Sequence, residues 1–251
     1  MRLPLVIQIV LVLCVGVSLE CRASLPDDDH LVPLKEAVGS SAAYQELWQR
    51  KLLLTPGETA RFVSLPGTTG VETVISVYQA SGKENSLPGD YWVTVTQASG
   101  RLWNCVAPGP RDHVDPQTIR VERCDVPIAQ TTALALHKLW VTMLSQSRLQ
   151  QKSNEIVVDS SSEIFSATNS NGIVLEGESS TSPGQNTKAL IGIATSLMEY
   201  CGAPVAKRAE LTRKIKKSTS NLLARIGAAS GHGKTQSASS PKSAITPTGK
   251  K

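Results

Sequence analysis

Residues 101–127 read RLWNCVAPGPRDHVDPQTIRVERCDVP. Two cysteines, Cys105 and Cys124, bracket a turn-rich loop that carries Asp112, His113 and Asp115. Three chemistries use such residues: a metal site, a catalytic site, or a loop closed by a disulfide. A zinc site wants three or four side-chain ligands. This loop offers one imidazole and two carboxylates, with no second histidine nearby and Pro116 directly after Asp115. The choice therefore rests on redox compartment, because spaced cysteines are bridged in oxidising surroundings and bind metal or react in reducing ones.

The N-terminus bears on the compartment. The chain opens MRLPLVIQIVLVLCVGVSLECRAS, with Arg2 before an uncharged apolar run from Leu3 to Val17 and small residues at Ser18 and Ala23. That order fits a secretory signal peptide. The run is shorter than the roughly 20 residues a membrane-spanning helix needs. Cleavage is expected after Ala23, giving a signal peptide over 1–23, with a cut after Ser18 as the competing site. An exported protein, periplasmic or extracellular, follows. In that setting Cys105 and Cys124 are expected to form a disulfide worth ~3 kcal/mol, and Cys201 is expected to be free and buried.

Other chemistry is sparse. The four histidines, at 30, 113, 137 and 232, are far apart. No G-x-S-x-G nucleophile elbow or phosphate-binding glycine loop is present. Aromatic residues make up 4% of the chain, too few for a platform that stacks bases or sugars. Asp27, Asp28, Asp29 and His30 form a charge run near the new N-terminus, which reads as solvated. His137 sits inside an apolar helix stripe and reads as a hydrogen-bonded core histidine. No cofactor or metal is expected.

The elements that position these residues follow from periodicity. Residues 24–40 read as a flexible leader. Residues 41–54 form a helix capped by Ser40 or Ser41, with Tyr44, Leu47, Trp48 and Leu52 on one stripe. From Thr55 to Val126, Pro-Gly turns separate ARFVSL, VETVISVYQ, YWVTVTQ, RLWNCV and TIRVERC, an antiparallel meander of four or five strands. A wide-striped helix begins near Pro127, and its Trp140 is a core residue. EIVVD, EIFSAT and GIVLEGES then read as short strands, the last two joined by an Asn171-Gly172 hairpin turn. Glu176 and Glu178 fall on one face of the last strand and read as solvated. A second helix over 185–201 ends at Gly202. The fold class is α+β: an antiparallel meander with two or three packed helices in a domain over 41–202, with 41–126 and 127–202 as candidate subdomains.

Within this domain, LWVTML (139–144), Arg148, VVDSSSEIF (157–165), Gly177, Ser182-Pro183, Leu190 and LMEY (197–200) make a pattern. It resembles a group of small exported bacterial proteins without an assigned function. The resemblance implies an exported α+β domain; it transfers no activity and no site residue.

Charge divides the chain. Residues 1–202 hold 15 Lys+Arg against 20 Asp+Glu, a net of −5, and residues 203–251 hold 11 against one, a net of +10. Over 203–229, Leu211, Ile215, Leu222 and Ile226 share one helical face, and Lys207, Arg208, Arg213, Lys214, Lys216, Lys217 and Arg225 cover the rest: a basic amphipathic helix suited to anionic surfaces. Residues 230–251 are mostly Ser, Thr, Gly, Pro and Lys, with Ile245 the only large apolar residue, and read as a disordered tail. The expected function is that of an exported, non-enzymatic envelope protein that binds another macromolecule, its basic tail meeting anionic lipid or another polyanion, with no specific nucleic-acid motif. The alternative is an exported hydrolase whose dispersed site uses His113 or His137.

Overall fold

The computed structural model describes residues 29–34, 39–53, 58–80, 90–106, 114–149, 161–179 and 182–231. The elements are α1 (Ser40–Leu52), β1 (Glu58–Leu65), β2 (Thr73–Gln79), β3 (Tyr91–Ala98), β4 (Val121–Ile128), α2 (Gln130–Ser145), β5 (Ser162–Thr168), β6 (Val174–Glu178), α3 (Gln185–Gly202) and α4 (Val205–Gly231). The fold is α+β. All strand pairs are antiparallel, in the order β4-β3-β2-β1-β5-β6. A four-strand meander is thus extended at β1 by the β5–β6 hairpin, and one sheet takes strands from both sides of residue 127.

Strand alternation explains the layers. Successive side chains point to opposite faces. Phe62, Ile75, Val77, Val93, Val95, Val126 and Phe165 point to one face, where α2 and α3 cover them. Val63, Val74 and Ile164 point to the other, under Leu47, Trp48 and Leu52 of α1. Tyr44, Leu47, Trp48 and Leu52 do form one stripe, although the residue before α1 is Gly39 and no side chain caps that helix. Trp140 is buried against Phe165, ring centroids 5.7 Å apart, and its indole N–H donates to the Arg61 carbonyl at 3.1 Å. That bond satisfies the one polar atom of a large core side chain.

RLWNCV is not a strand. Leu102–Cys105 is a 3-10 helix beneath α1. Its N-terminal amides are taken by the Glu72 carboxylate, which accepts from Leu102 N at 2.9 Å, Trp103 N at 3.2 Å and the Tyr44 hydroxyl at 2.7 Å. Glu72 is fully buried, and these donors offset the cost of placing a carboxylate there.

The leader and the C-terminal helix also differ from expectation. Leu31 and Val32 are buried; Val32 exchanges two backbone hydrogen bonds with Glu178 (2.9 and 2.8 Å) at the outer edge of β6. Gly177 makes this possible: a Cβ there would lie 3.1 Å from the Val32 carbonyl oxygen and 3.2 Å from Leu144. Asp29 accepts from the Asn186 amide at the start of α3. The helix expected over 203–229 is α4, and it is part of the body. Ile215, Leu222 and Ile226 are buried in the main core, where α4 lies across α2 and α3 as an outer layer.

The hairpin turn at Asn171-Gly172 is present. Gly172 takes φ 75°, and Asn169 Oδ1 accepts from the amides of Asn171 and Ile173. The expected signal peptide, residues 24–28 and 35–38 of the leader, the EIVVD strand, Asp112, His113 and residues 232–251 lie outside the described residues.

Candidate functional site

The expected Cys105–Cys124 bridge does not form. Cys124 is bonded to Cys201, with Cα atoms 6.0 Å apart, and Cys105 is a buried free thiol. The reason is strand alternation. On β4, Cys124 shares a face with Val126 and Ile128, the face that α3 covers. Cys105 belongs to the 3-10 helix on the opposite side of the sheet, packed with Leu102, Trp48 and Leu52. Burial, followed by the negative charge of Glu72, pushes the Cys105 thiol above its ordinary value. A neutral, buried thiol is a poor nucleophile.

Of the loop's remaining ligand candidates, Asp115 is the one that lies among the described residues. Asp115 caps a second 3-10 helix (Pro116–Thr118), accepting from the Gln117 amide at 2.9 Å. His137 lies on α2, half-buried, and its Nε2–H donates to the Thr168 carbonyl at 2.6 Å. Among the described residues, no three of His, Cys, Asp and Glu are grouped to hold a metal ion. His30 is buried.

A line of polar side chains crosses the α1 side of the sheet, and sequence reading missed it. The register places Glu176 opposite Ser166, Ser166 opposite Arg61, Arg61 opposite Ser76, Ser76 opposite Thr94, and Thr94 opposite Asp125. One residue from each strand contributes. Arg61 forms ion pairs with Glu58 and Glu176, both at 3.2 Å. Ser76 Oγ donates to Glu58 at 2.7 Å, and Thr94 Oγ1 donates to Asp125, which also accepts from Arg123 at 2.9 and 3.2 Å. Burial raises the Glu58 carboxyl above its ordinary value against the opposing pull of Ser76 and Arg61. The Ser76 and Thr94 hydroxyls are bonded to carboxylates, and both residues are almost wholly buried. A serine nucleophile needs a base that takes its proton and exposure to substrate; Ser76 and Thr94 are held instead as internal donors.

The exposed chemistry is on α4. This helix carries seven Lys and Arg and one acid, Glu210. Its buried positions are Ile215, Thr219, Leu222 and Ile226. Lys207, Arg213, Lys214, Lys216, Lys217 and Arg225 are exposed, and Arg208 is half-buried with its Nε donating to the Ala203 carbonyl at 3.0 Å. At 1.5 Å per residue, 27 residues give a rod of about 40 Å. Its apolar stripe is spent on α2 and α3, so the cations project outward from a fixed scaffold. Lys214 pairs with Glu199 of α3 at 3.3 Å, and Arg225 reaches the Gln185 carbonyl at 3.4 Å. Beside them, between α3 and α4, runs an open groove of about 530 Å³.

Comparison with family models, characterised proteins and solved structures found no match to this chain.

Proposed function

We propose that this chain is an exported, non-enzymatic envelope protein that binds anionic surfaces through the basic face of α4. The observation that carries this reading is the division of that helix: a buried apolar stripe docked on the body, and six exposed cations on the remaining surface. A cationic surface of this density attracts phosphate-rich partners, and each basic residue close to an anionic membrane contributes about 1 kcal/mol. The docked stripe makes the attachment electrostatic rather than inserted, since Ile215, Leu222 and Ile226 are occupied in the core.

Export is supported by the N-terminal pattern and by the Cys124–Cys201 disulfide, a bond that persists in oxidising compartments. No helix among the described residues is long and apolar enough to cross a membrane. The non-enzymatic reading is supported by the carboxylate-bound hydroxyls of the sheet and by the carbonyl partner of His137.

The test is sedimentation of the full chain with vesicles. Binding to vesicles containing anionic phospholipid, absent on neutral phosphatidylcholine vesicles, is expected at about 0.1 M salt, where the Debye length is about 10 Å, and should vanish near 1 M, where it is about 3 Å. Equal binding to neutral vesicles, or binding that survives high salt, would rule the reading out.

A further inference from the structure

The groove between α3 and α4 has a definite chemical order. Lys214, Ser218, Asn221 and Arg225 recur at i, i+4, i+7 and i+11, which places them on one flank of α4. Facing them on α3 are Gly192 and Glu199. The volume, about 530 Å³, falls within the range of small-molecule sites, roughly 300–1,000 Å³.

We propose that this groove binds a phosphate ester of a polyol, with the phosphate at Arg225 and Asn221 and the hydroxyls toward Ser218 and Glu199. Arg225 spends one long bond on the Gln185 carbonyl, and a guanidinium has five N–H donors in a fork that matches phosphate oxygens. Asn221, one turn away, adds amide donors. At the other end, the Glu199 carboxylate is half-exposed and held by Lys214. It repels a second anion and accepts hydroxyl protons, so the fitting ligand has one anionic end and one neutral, hydroxyl-rich end. Among the described residues the groove has no aromatic wall, so a nucleobase gains no stacking from them. Gly192 keeps the floor open: a Cβ built on it meets nothing within 4 Å.

This inference rests on the anionic-surface reading, in that the ester would be a lipid headgroup met by α4, but a soluble phosphopolyol carries the same chemistry. The two sources separate by experiment. The full chain is titrated calorimetrically with glycerol 3-phosphate, with phosphatidylglycerol vesicles, and with phosphatidylserine vesicles matched in net charge. The variants are Arg225→Gln, Gly192→Leu, which fills the groove without a clash at Cβ, and Lys138→Gln, an exposed position on α2 outside both the groove and the basic face; melting curves confirm each fold. The expected result is binding of glycerol 3-phosphate and a preference for phosphatidylglycerol over phosphatidylserine. Both should be lost in Gly192→Leu, weakened about tenfold or more in Arg225→Gln, the worth of one charge-assisted bond, and kept in Lys138→Gln. Groove-dependent binding of glycerol 3-phosphate without vesicle binding would support the site with a soluble ligand and remove the membrane reading. Vesicle binding without headgroup preference, with no glycerol 3-phosphate bound, would overturn the groove site and leave the basic-face reading standing. Ligand binding unchanged in Gly192→Leu and Arg225→Gln would also overturn it.

Discussion

Cys124 in the edge strand β4 is bonded to Cys201 in the last turn of α3, 77 residues away in sequence. The bond ties the layer of α2 and α3 to the sheet edge, beside the Tyr200 hydroxyl, which donates to the Pro127 carbonyl at 2.7 Å. Peptide mapping of unreduced protein should recover Cys124 joined to Cys201 and Cys105 as a thiol that reacts only after denaturation. On the chain-entropy model, a loop of this length gives about 4 kcal/mol, and Cys124→Ala with Cys201→Ala should lose that amount in urea melts. A Cys105–Cys124 peptide would contradict the packing described above.

Trp140 joins α2 to β1 through its indole N–H and to β5 through Phe165. Trp140→Ala should cost about 3–5 kcal/mol, the range for large aromatic truncations in cores. A loss under about 1 kcal/mol would mean that this helix face is loosely packed.

The C-terminal helix is a structural element and not a detachable appendage. Ile215, Leu222 and Ile226 each bury a side chain worth about 1.5–3 kcal/mol. Their sum approaches the whole stability of an ordinary domain, about 5–15 kcal/mol. A chain ending at Gly202 should therefore lose cooperative unfolding, and Ile215→Ala alone should cost about 2–5 kcal/mol. A Gly202-terminated chain that melts like the full protein would show that α4 is not needed by the body.

Glu58 sets a pH dependence. Burial holds its carboxyl above the ordinary 4.5 in the folded chain. Its contribution to stability is therefore fully present below pH 4.5 and is lost as pH rises through the raised folded value. Glu58→Gln keeps an acceptor for Ser76 and removes the titration. The stability of the variant relative to the parent should rise as pH climbs above 4.5 in urea melts. A constant difference, or one of opposite sign, would contradict the burial of this carboxyl.

Much of the fold is legible in the sequence because it is written in local periodicity. The alternation in YWVTVT, the stripes of α1 and α3, and the Asn171-Gly172 turn all specify their elements within a few residues. What local pattern does not carry is which face meets which. Cys105 and Cys124 flank one loop, yet they end on opposite sides of the sheet, and only the path of β4 decides this. RLWNCV has strand-like composition, but Glu72, about 30 residues earlier, captures its amides and turns it into a 3-10 helix. The line from Glu176 to Asp125 exists only through six-strand register, so no spacing rule announces it. The basic residues of α4 were visible as a cluster; that its apolar stripe joins the core depends on α2 and α3 presenting a matching surface.

The central claim is that α4 is a docked helix whose outward cations bind anionic surfaces. The most direct test replaces Lys207, Arg213, Lys216 and Lys217 together by Gln, all exposed positions, and measures vesicle sedimentation at low salt alongside a melting curve. At about 1 kcal/mol per cation, partitioning onto anionic vesicles should fall by two to three orders of magnitude while the melting temperature stays unchanged. Parent-level vesicle binding by this folded variant would contradict the account.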